Sequence, residues 1–158
     1  MAESSADVVR RYLEDAITAE KSLEAQLTGF AAEAESAGAK RIFERHASET
    51  RSQHERLAAR LKDLGTYPPA GKSLLASVFD SIAKTAHRAT APNQERTSRN
   101  LVAAFAAENG EIAMYEALAS ISEAAGDTQT AALARSIQHE HKSTAQDFWQ
   151  LLPDEAAR

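Results

Sequence analysis

The sequence predicts an all-α fold, a four-helix bundle, from three observations. First, the 158-residue chain is rich in alanine, glutamate, leucine, lysine and arginine, which favour helices, and it has few runs of β-branched residues. Second, apolar residues recur at spacings of three and four along four long segments. Third, one long irregular connection separates the second of these segments from the third.

The first two helices are predicted to form a hairpin. Residues 5–34 and residues 37–64 each carry one apolar face. Ser36 is suited to cap the second helix at its N-terminus, and Gly65 is suited to end it. Because the turn between the two helices is short, we expect them to lie antiparallel.

The last two long helices repeat this arrangement. The third is predicted over residues 94–125 and ends at Gly126. The fourth is predicted over residues 128–152, with Asp127 as its N-cap. This second short turn predicts a second antiparallel hairpin.

The connection between the hairpins determines the topology. It begins with GTYPPAGK, where two consecutive prolines interrupt any helix, and a shorter helix follows over residues 72–88. A long connection lets the second and third helices run parallel, and a four-helix bundle with one long crossover is the ferritin-like arrangement. We therefore expect a single ferritin-like domain over residues 1–158. A fifth helix in the core would also explain the connection, and that alternative stays open.

Composition and charge exclude several classes of protein. The chain has no cysteine, which excludes disulfides and thiolate metal sites and is compatible with a reducing cytoplasm. Its N-terminus lacks the apolar segment of a signal peptide, and no apolar run is long enough to span a membrane. A net charge of −5 argues against nucleic acid as a partner.

Glutamates interrupt the apolar face of each long helix. The pairs Glu20–Glu49 and Glu111–Glu140 are each 29 residues apart, and each midpoint falls at a predicted turn. Residues equidistant from a turn lie at the same height in an antiparallel hairpin, here roughly 20 Å from the loop at about 1.5 Å per residue. The carboxylates predicted to converge inside the bundle, with Glu20 largely buried, are Glu20, Glu49, Glu108, Glu111 and Glu140.

Two other interpretations of these glutamates stay open. A glutamate beside an apolar face often lies at its solvated edge. The group could also form a buried polar network without metal, neutralised by protons, by His46 and by a nearby lysine or arginine.

Four segments, taken in order, resemble the helices of the ferritin-like superfamily, and within it the small bacterial stress-associated proteins of the YciE/YciF type. The third of these segments is also similar to the glutamate-rich helix of rubrerythrins. The segments are DAITAEKSL (15–23), IFERHASETRSQHERL (42–57), AENGEIAMY (107–115) and IQHEHKSTAQDFWQLL (137–152).

The resemblance implies a centre of two divalent metal ions, Fe or Mn. In that design two helices each give a glutamate and the other two each give Glu-x-x-His. Here Ser52 and Ser143 follow Glu49 and Glu140 at the positions of the expected histidines. The nitrogen ligand that could replace them is His46, and His141 is the better candidate of the two histidines beside Glu140. The implied metal ligands are Glu20, Glu49, Glu108, Glu111, Glu140 and His46.

Three functions are compatible with these features. The first is a carboxylate-bridged di-metal protein that acts as an oxidase or peroxide scavenger in a stress response. The second is a non-catalytic, dimeric stress protein that keeps the fold and is metal-free, as the two missing histidines suggest. The third is iron storage in a cage. The apolar residues of the crossover, together with the resemblance, predict a homodimer in the cytoplasm.

Overall fold

Four α-helices make up the described part of the chain. The computed structural model describes residues 4–65 and 93–158, and within these ranges it contains helices and turns with no strand. The predicted all-α four-helix bundle is therefore confirmed. The helix predicted over residues 72–88 lies outside the described residues. The four helices are α1, Ser5–Glu33; α2, Ala37–Asp63; α3, Asn93–Ala124; and α4, Thr128–Ala156.

The ends of the helices carry the caps that the sequence predicts. The hydroxyl of Ser36 accepts a hydrogen bond from the backbone N–H of Ala39 at 3.0 Å, at the start of α2. Asp127 Oδ1 accepts from the backbone N–H of Thr130 at 3.0 Å, at the start of α4. Gly65 and Gly126 have φ of 83° and 76°, the left-handed conformation that glycine adopts most readily after a helix.

Helix α4 continues four residues beyond its predicted end. Pro153 lies inside the last turn, which is closed by a hydrogen bond from the backbone N–H of Ala157 to the Pro153 carbonyl at 3.2 Å. The side chain of Glu155 in this turn is buried and accepts a hydrogen bond from the Ser36 hydroxyl at 2.5 Å. This tertiary contact holds the final turn against α2, so the proline does not end the helix.

Two apolar clusters, one at each end of the bundle, show the direction of every helix. One contains the first halves of α1 and α4 with the second halves of α2 and α3, as in Leu13, Ile137, Leu57 and Leu118. The other contains the opposite halves, as in Leu27, Phe148, Phe43 and Leu101. Helices α2 and α3 therefore run parallel to each other and antiparallel to α1 and α4, as the long connection predicts.

The helices pack in a ring in which α1 contacts α2 and α3, and α4 contacts α3 and α2. The parallel pair, α2 and α3, accordingly sits diagonally across the bundle. A layer of buried polar side chains crosses the core between the two apolar clusters. Among the described helices, none has both the length and the hydropathy needed to cross a membrane.

Candidate metal centre

Three carboxylates and one imidazole meet in the middle of the polar layer. Helix α1 supplies Glu20, α3 supplies Glu108 and Glu111, and α4 supplies His141; each is at most 1 % exposed. Glu108 and Glu111 are one helical turn apart, so both side chains face the same interior space. The expected burial of Glu20 is observed.

His141 links two of the carboxylates. Its Nδ1 lies 2.6 Å from Glu108 Oε2, and its Nε2 lies 2.8 Å from Glu20 Oε1. Since a carboxylate oxygen only accepts hydrogen bonds when ionised, this geometry favours a doubly protonated, positively charged imidazolium. The ring of His141 also stacks on Tyr115, with centroids 5.3 Å apart, and the Tyr115 hydroxyl donates to Glu20 Oε1.

Burial and mutual repulsion decide how protons are shared in this group. Burial, reinforced by the charge of Glu20, raises the pKa of Glu111 well above its usual value. Burial also raises the pKa of Glu108, against the opposing effect of His141. Burial alone would lower the pKa of His141, but Glu20 and Glu108 outweigh it and hold that pKa well above the usual range.

The donor set fits one divalent metal ion. One ligand atom from each of Glu20, Glu111 and His141 lies within 4.8 Å of the others. Both carboxylate oxygens of Glu111, and one each of Glu20 and Glu108, are buried without a hydrogen-bond partner in the described part of the chain. Oxygen donors with a single imidazole suit Fe, Mn or Mg. Glu20, Glu111 and His141 are therefore the side chains that would hold an ion, with Glu108 beside them.

Glu49 and His46 lie outside this group. The side chain of Glu49 is 45 % exposed, and its Oε2 lies 2.6 Å from His46 Nδ1. His46 is buried, and its Nε2 lies 3.2 Å from Asp147 Oδ2. Both line an open pocket of about 390 Å³ between α2 and α4. His46 therefore lies between two carboxylates, those of Glu49 and Asp147, at the wall of the bundle.

Glu140 lies at the wall of the bundle, partly exposed to solvent. Its side chain is 37 % exposed, and its Oε2 accepts hydrogen bonds from Arg56 at 2.6 Å and from Gln53 at 3.0 Å. Burial alone would raise the pKa of Glu140, but these two hydrogen bonds lower it. Glu140 is therefore an ionised carboxylate paired with an arginine.

Of the five glutamates predicted to converge, Glu20, Glu108 and Glu111 lie in the buried polar layer, whereas the side chains of Glu49 and Glu140 lie at the wall of the bundle. The buried polar side chains closest in sequence to Glu49 and Glu140 include the pairs Thr50–Gln53 on α2 and Gln138–His141 on α4. Successive residues of a helix are about 100° apart, so an error of one position moves a side chain from the interior to the wall. Gln138 and His141 have the i, i+3 spacing of a Glu-x-x-His motif, with glutamine in place of glutamate.

Gln53 and Gln138 are the polar core residues that the glutamate pattern did not indicate. Gln138 Nε2 donates to the carbonyl of Ile112 at 3.0 Å and to Glu116 at 2.9 Å. The large apolar residues indicate more reliably which face of each helix is buried. Phe43 and Leu57 on α2 and Phe148 on α4 are fully buried. Counting in helical steps from those residues identifies Thr50 and His141 as interior positions.

Comparison with known proteins places this fold among related chains. A family described as a domain of unknown function, DUF892, matches residues 5–158. No curated protein matches the sequence significantly.

Three solved structures share the fold. The Escherichia coli stress protein YciF is 24 % identical, with a TM-score of 0.86 and 99 % of each chain covered. A protein of Xanthomonas campestris pv. campestris is 23 % identical, with a TM-score of 0.78, covering 98 % of this chain and 95 % of that one. YcfI of Rhodopseudomonas palustris is 22 % identical, with a TM-score of 0.79, covering 92 % and 93 %. The resemblance to the YciF type is confirmed.

Proposed function

We propose that this chain, which belongs to the family described as a domain of unknown function, DUF892, is a ferritin-like metal-binding protein. Its site is the buried group of Glu20, Glu111 and His141, and the ion is Fe or Mn. The observation that carries the proposal is the set of buried carboxylate oxygens that lack a hydrogen-bond partner among the described residues. Such oxygens are unfavourable in a protein interior unless a proton or a cation compensates them.

Each residue of the centre has a defined part in binding. Glu111 presents two buried oxygens that have no hydrogen-bond partner in the described structure, and these are the natural first contacts of a cation. His141 would have to release a proton and exchange a carboxylate for the ion at one of its nitrogens. Tyr115 holds Glu20 through its hydroxyl and stacks on His141, so it orients two of the three ligands.

A redox role in a stress response is the activity that we propose for the loaded protein. Bound Fe or Mn supplies one-electron chemistry toward dioxygen or peroxide. Burial of the centre in the polar layer keeps bulk water away from the ligands. The likeness to YciF, which is described as a stress protein, supports the physiological setting. A cytoplasmic homodimer belongs to the same proposal. A second ion, which the resemblance implies, would recruit Glu49 and Glu140.

The alternative function is a metal-free, stress-associated helical bundle, and one observation favours it. The imidazolium of His141 lies between Glu20 and Glu108 and compensates their charge without any ion. A proton on Glu111, favoured by its raised pKa, would remove a further charge.

Thermal unfolding with and without metal distinguishes the two functions. We expect Fe²⁺ or Mn²⁺, added to chelator-treated protein at about 100 times the dissociation constant, to stabilise it by about 2.7 kcal/mol. For a chain of this size that corresponds to a rise in Tm of about 5–10 °C. Glu111→Ala should abolish the rise.

A matched control uses a glutamate on the same helix that lies outside the centre. Glu123 is more than half exposed and pairs with Arg135, so Glu123→Ala should keep the metal-dependent rise in full. If the wild-type protein melts at the same temperature with and without metal, and calorimetry detects no binding, the metal-free alternative replaces the proposal.

A further inference from the structure

The two sides of the metal centre differ in charge. Helices α1 and α3 contribute the carboxylates of Glu20, Glu108 and Glu111, whereas the buried polar side chains of α2 are those of His46, Thr50 and Gln53, none of which is a carboxylate. A second divalent ion beside the first needs anionic ligands on the α2 side. In the described structure, α2 presents none there.

The carboxylate of Glu140, which directly precedes His141 in the chain, already has a cation beside it. Arg56 Nη2 donates to Glu140 Oε2 at 2.6 Å, and Gln53 donates to the same oxygen at 3.0 Å. This oxygen therefore already accepts from a guanidinium and an amide, which a metal ion would have to displace.

Arg56 follows Gln53 by one helical turn on α2, and both side chains donate to the same oxygen of Glu140. A guanidinium stays charged at every physiological pH, so it repels a second ion permanently. Glu49, the other carboxylate that a second ion would recruit, is engaged by His46 at 2.6 Å and by Arg45 at 3.8 Å.

We infer that the centre takes one divalent ion per chain and that Arg56, bound to Glu140, occupies the place of the second. The inference rests on the proposed metal-binding function and departs from the two-ion centre that the resemblance implies. It assigns to Arg56 the role of a fixed cation that sets the number of ions bound.

Metal stoichiometry tests the inference. Chelator-treated protein is titrated with Mn²⁺, and bound metal is measured by elemental analysis after gel filtration. We expect one ion per wild-type chain, with the electron paramagnetic resonance spectrum of an isolated Mn²⁺ rather than the broadened spectrum of a coupled pair. In Arg56→Gln, which frees Glu140, the ratio should rise towards two.

Two control variants are needed. One tests whether the charge of Arg56 matters rather than its shape, and the other tests whether the loss of any arginine on α2 has the same effect. Arg56→Lys keeps the charge, so it should keep a ratio of one. Arg51→Gln removes an exposed arginine of the same helix that pairs with Glu24, and it should also keep a ratio of one. Circular dichroism checks that each variant is folded.

The outcomes distinguish failure of this inference from failure of the proposed function. Two ions per wild-type chain, or a ratio of one that persists in Arg56→Gln, would overturn the role of Arg56 while leaving metal binding intact. No bound metal in the wild-type protein would overturn both.

Discussion

Glu111 combines complete burial with two oxygens that have no hydrogen-bond partner among the described residues. In a metal-free protein the favourable state of such a group is the protonated one, because an ionised carboxylate loses its hydration without compensation. Its pKa lies well above 4.5 for this reason, and the nearby charge of Glu20 adds to the effect. Folding of the metal-free chain is therefore coupled to proton binding at Glu111.

This coupling predicts how stability depends on pH. Because the pKa of Glu111 is higher in the folded state, its contribution is lost as pH rises above the unfolded value of 4.5. The raised pKa of His141 acts in the same direction: its contribution is complete below 6.5 and is lost as pH rises through the folded pKa. We expect the Tm of metal-free protein to fall as pH rises above 4.5, and to fall further above 6.5 as the contribution of His141 begins to be lost.

Glu111→Gln isolates the part of this dependence that belongs to Glu111. The amide has nearly the same shape and does not titrate, so Tm should fall less steeply with pH in this variant than in the wild-type protein. Differential scanning calorimetry in the presence of a chelator measures both slopes. Glu123→Gln, on the exposed part of α3, should keep the wild-type slope, and equal slopes in all three proteins would contradict this account of Glu111.

At the scale of the helices, the turns are the parts most clearly encoded in the sequence. Asp127 caps α4 through the N–H of Thr130 and also accepts a hydrogen bond from Arg60 of α2 at 2.8 Å. One side chain thus fixes the start of a helix and joins the two hairpins.

Asp127→Ala should destabilise the protein by about 1–2 kcal/mol through loss of the cap, which corresponds to a fall in Tm of about 2–8 °C. Asp127→Asn keeps the capping oxygen and loses only the charge opposite Arg60. It should therefore retain most of the stability. Urea titration measures both variants, and an alanine variant as stable as the asparagine variant would show that the cap contributes nothing.

The helices also show how far the sequence could predict the site. Height along the bundle depends on counting residues from a turn, and the turns at Ser36 and Gly126 are marked by unambiguous residues. The direction in which a side chain points depends on helical phase, and the positions of the glutamates alone do not indicate that phase. Glu49 and Glu140 lie at the wall because each is one position away from the buried phase of its helix. Glu49 has Arg45 of its own helix nearby, and Glu140 pairs with Arg56 of α2. The pair between Glu140 and Arg56 joins two helices, so periodicity within one segment does not contain it.

At the scale of the whole molecule, an apolar patch on the outer face of α3 and α4 bears on assembly. Trp149 is 57 % exposed and Val102 is 54 % exposed. Phe105 packs on Trp149 with ring centroids 5.4 Å apart. Clustered apolar side chains on a surface are typical of protein–protein contacts.

We expect the protein to be a homodimer. We expect Trp149→Glu, which places a charge in this apolar patch, to weaken the dimer. Gln150→Glu adds the same charge at the next, also exposed, position, and it should leave the dimer unchanged. Sedimentation equilibrium at tens of micromolar measures all three proteins. A wild-type protein that sediments only as a monomer would rule out the dimer.

The division of the core into two apolar clusters, with a polar layer between them, has a consequence for the stability of the folded chain. Four ionisable groups of the polar layer, Glu20, Glu108, Glu111 and His141, fill a volume that leucine or phenylalanine could fill instead. Replacement of buried ionic groups by well-packed apolar ones is often neutral or stabilising. The two apolar ends of the bundle therefore supply the apolar packing between the helices, whereas the ionisable middle layer contributes less to folding stability than leucine or phenylalanine would there.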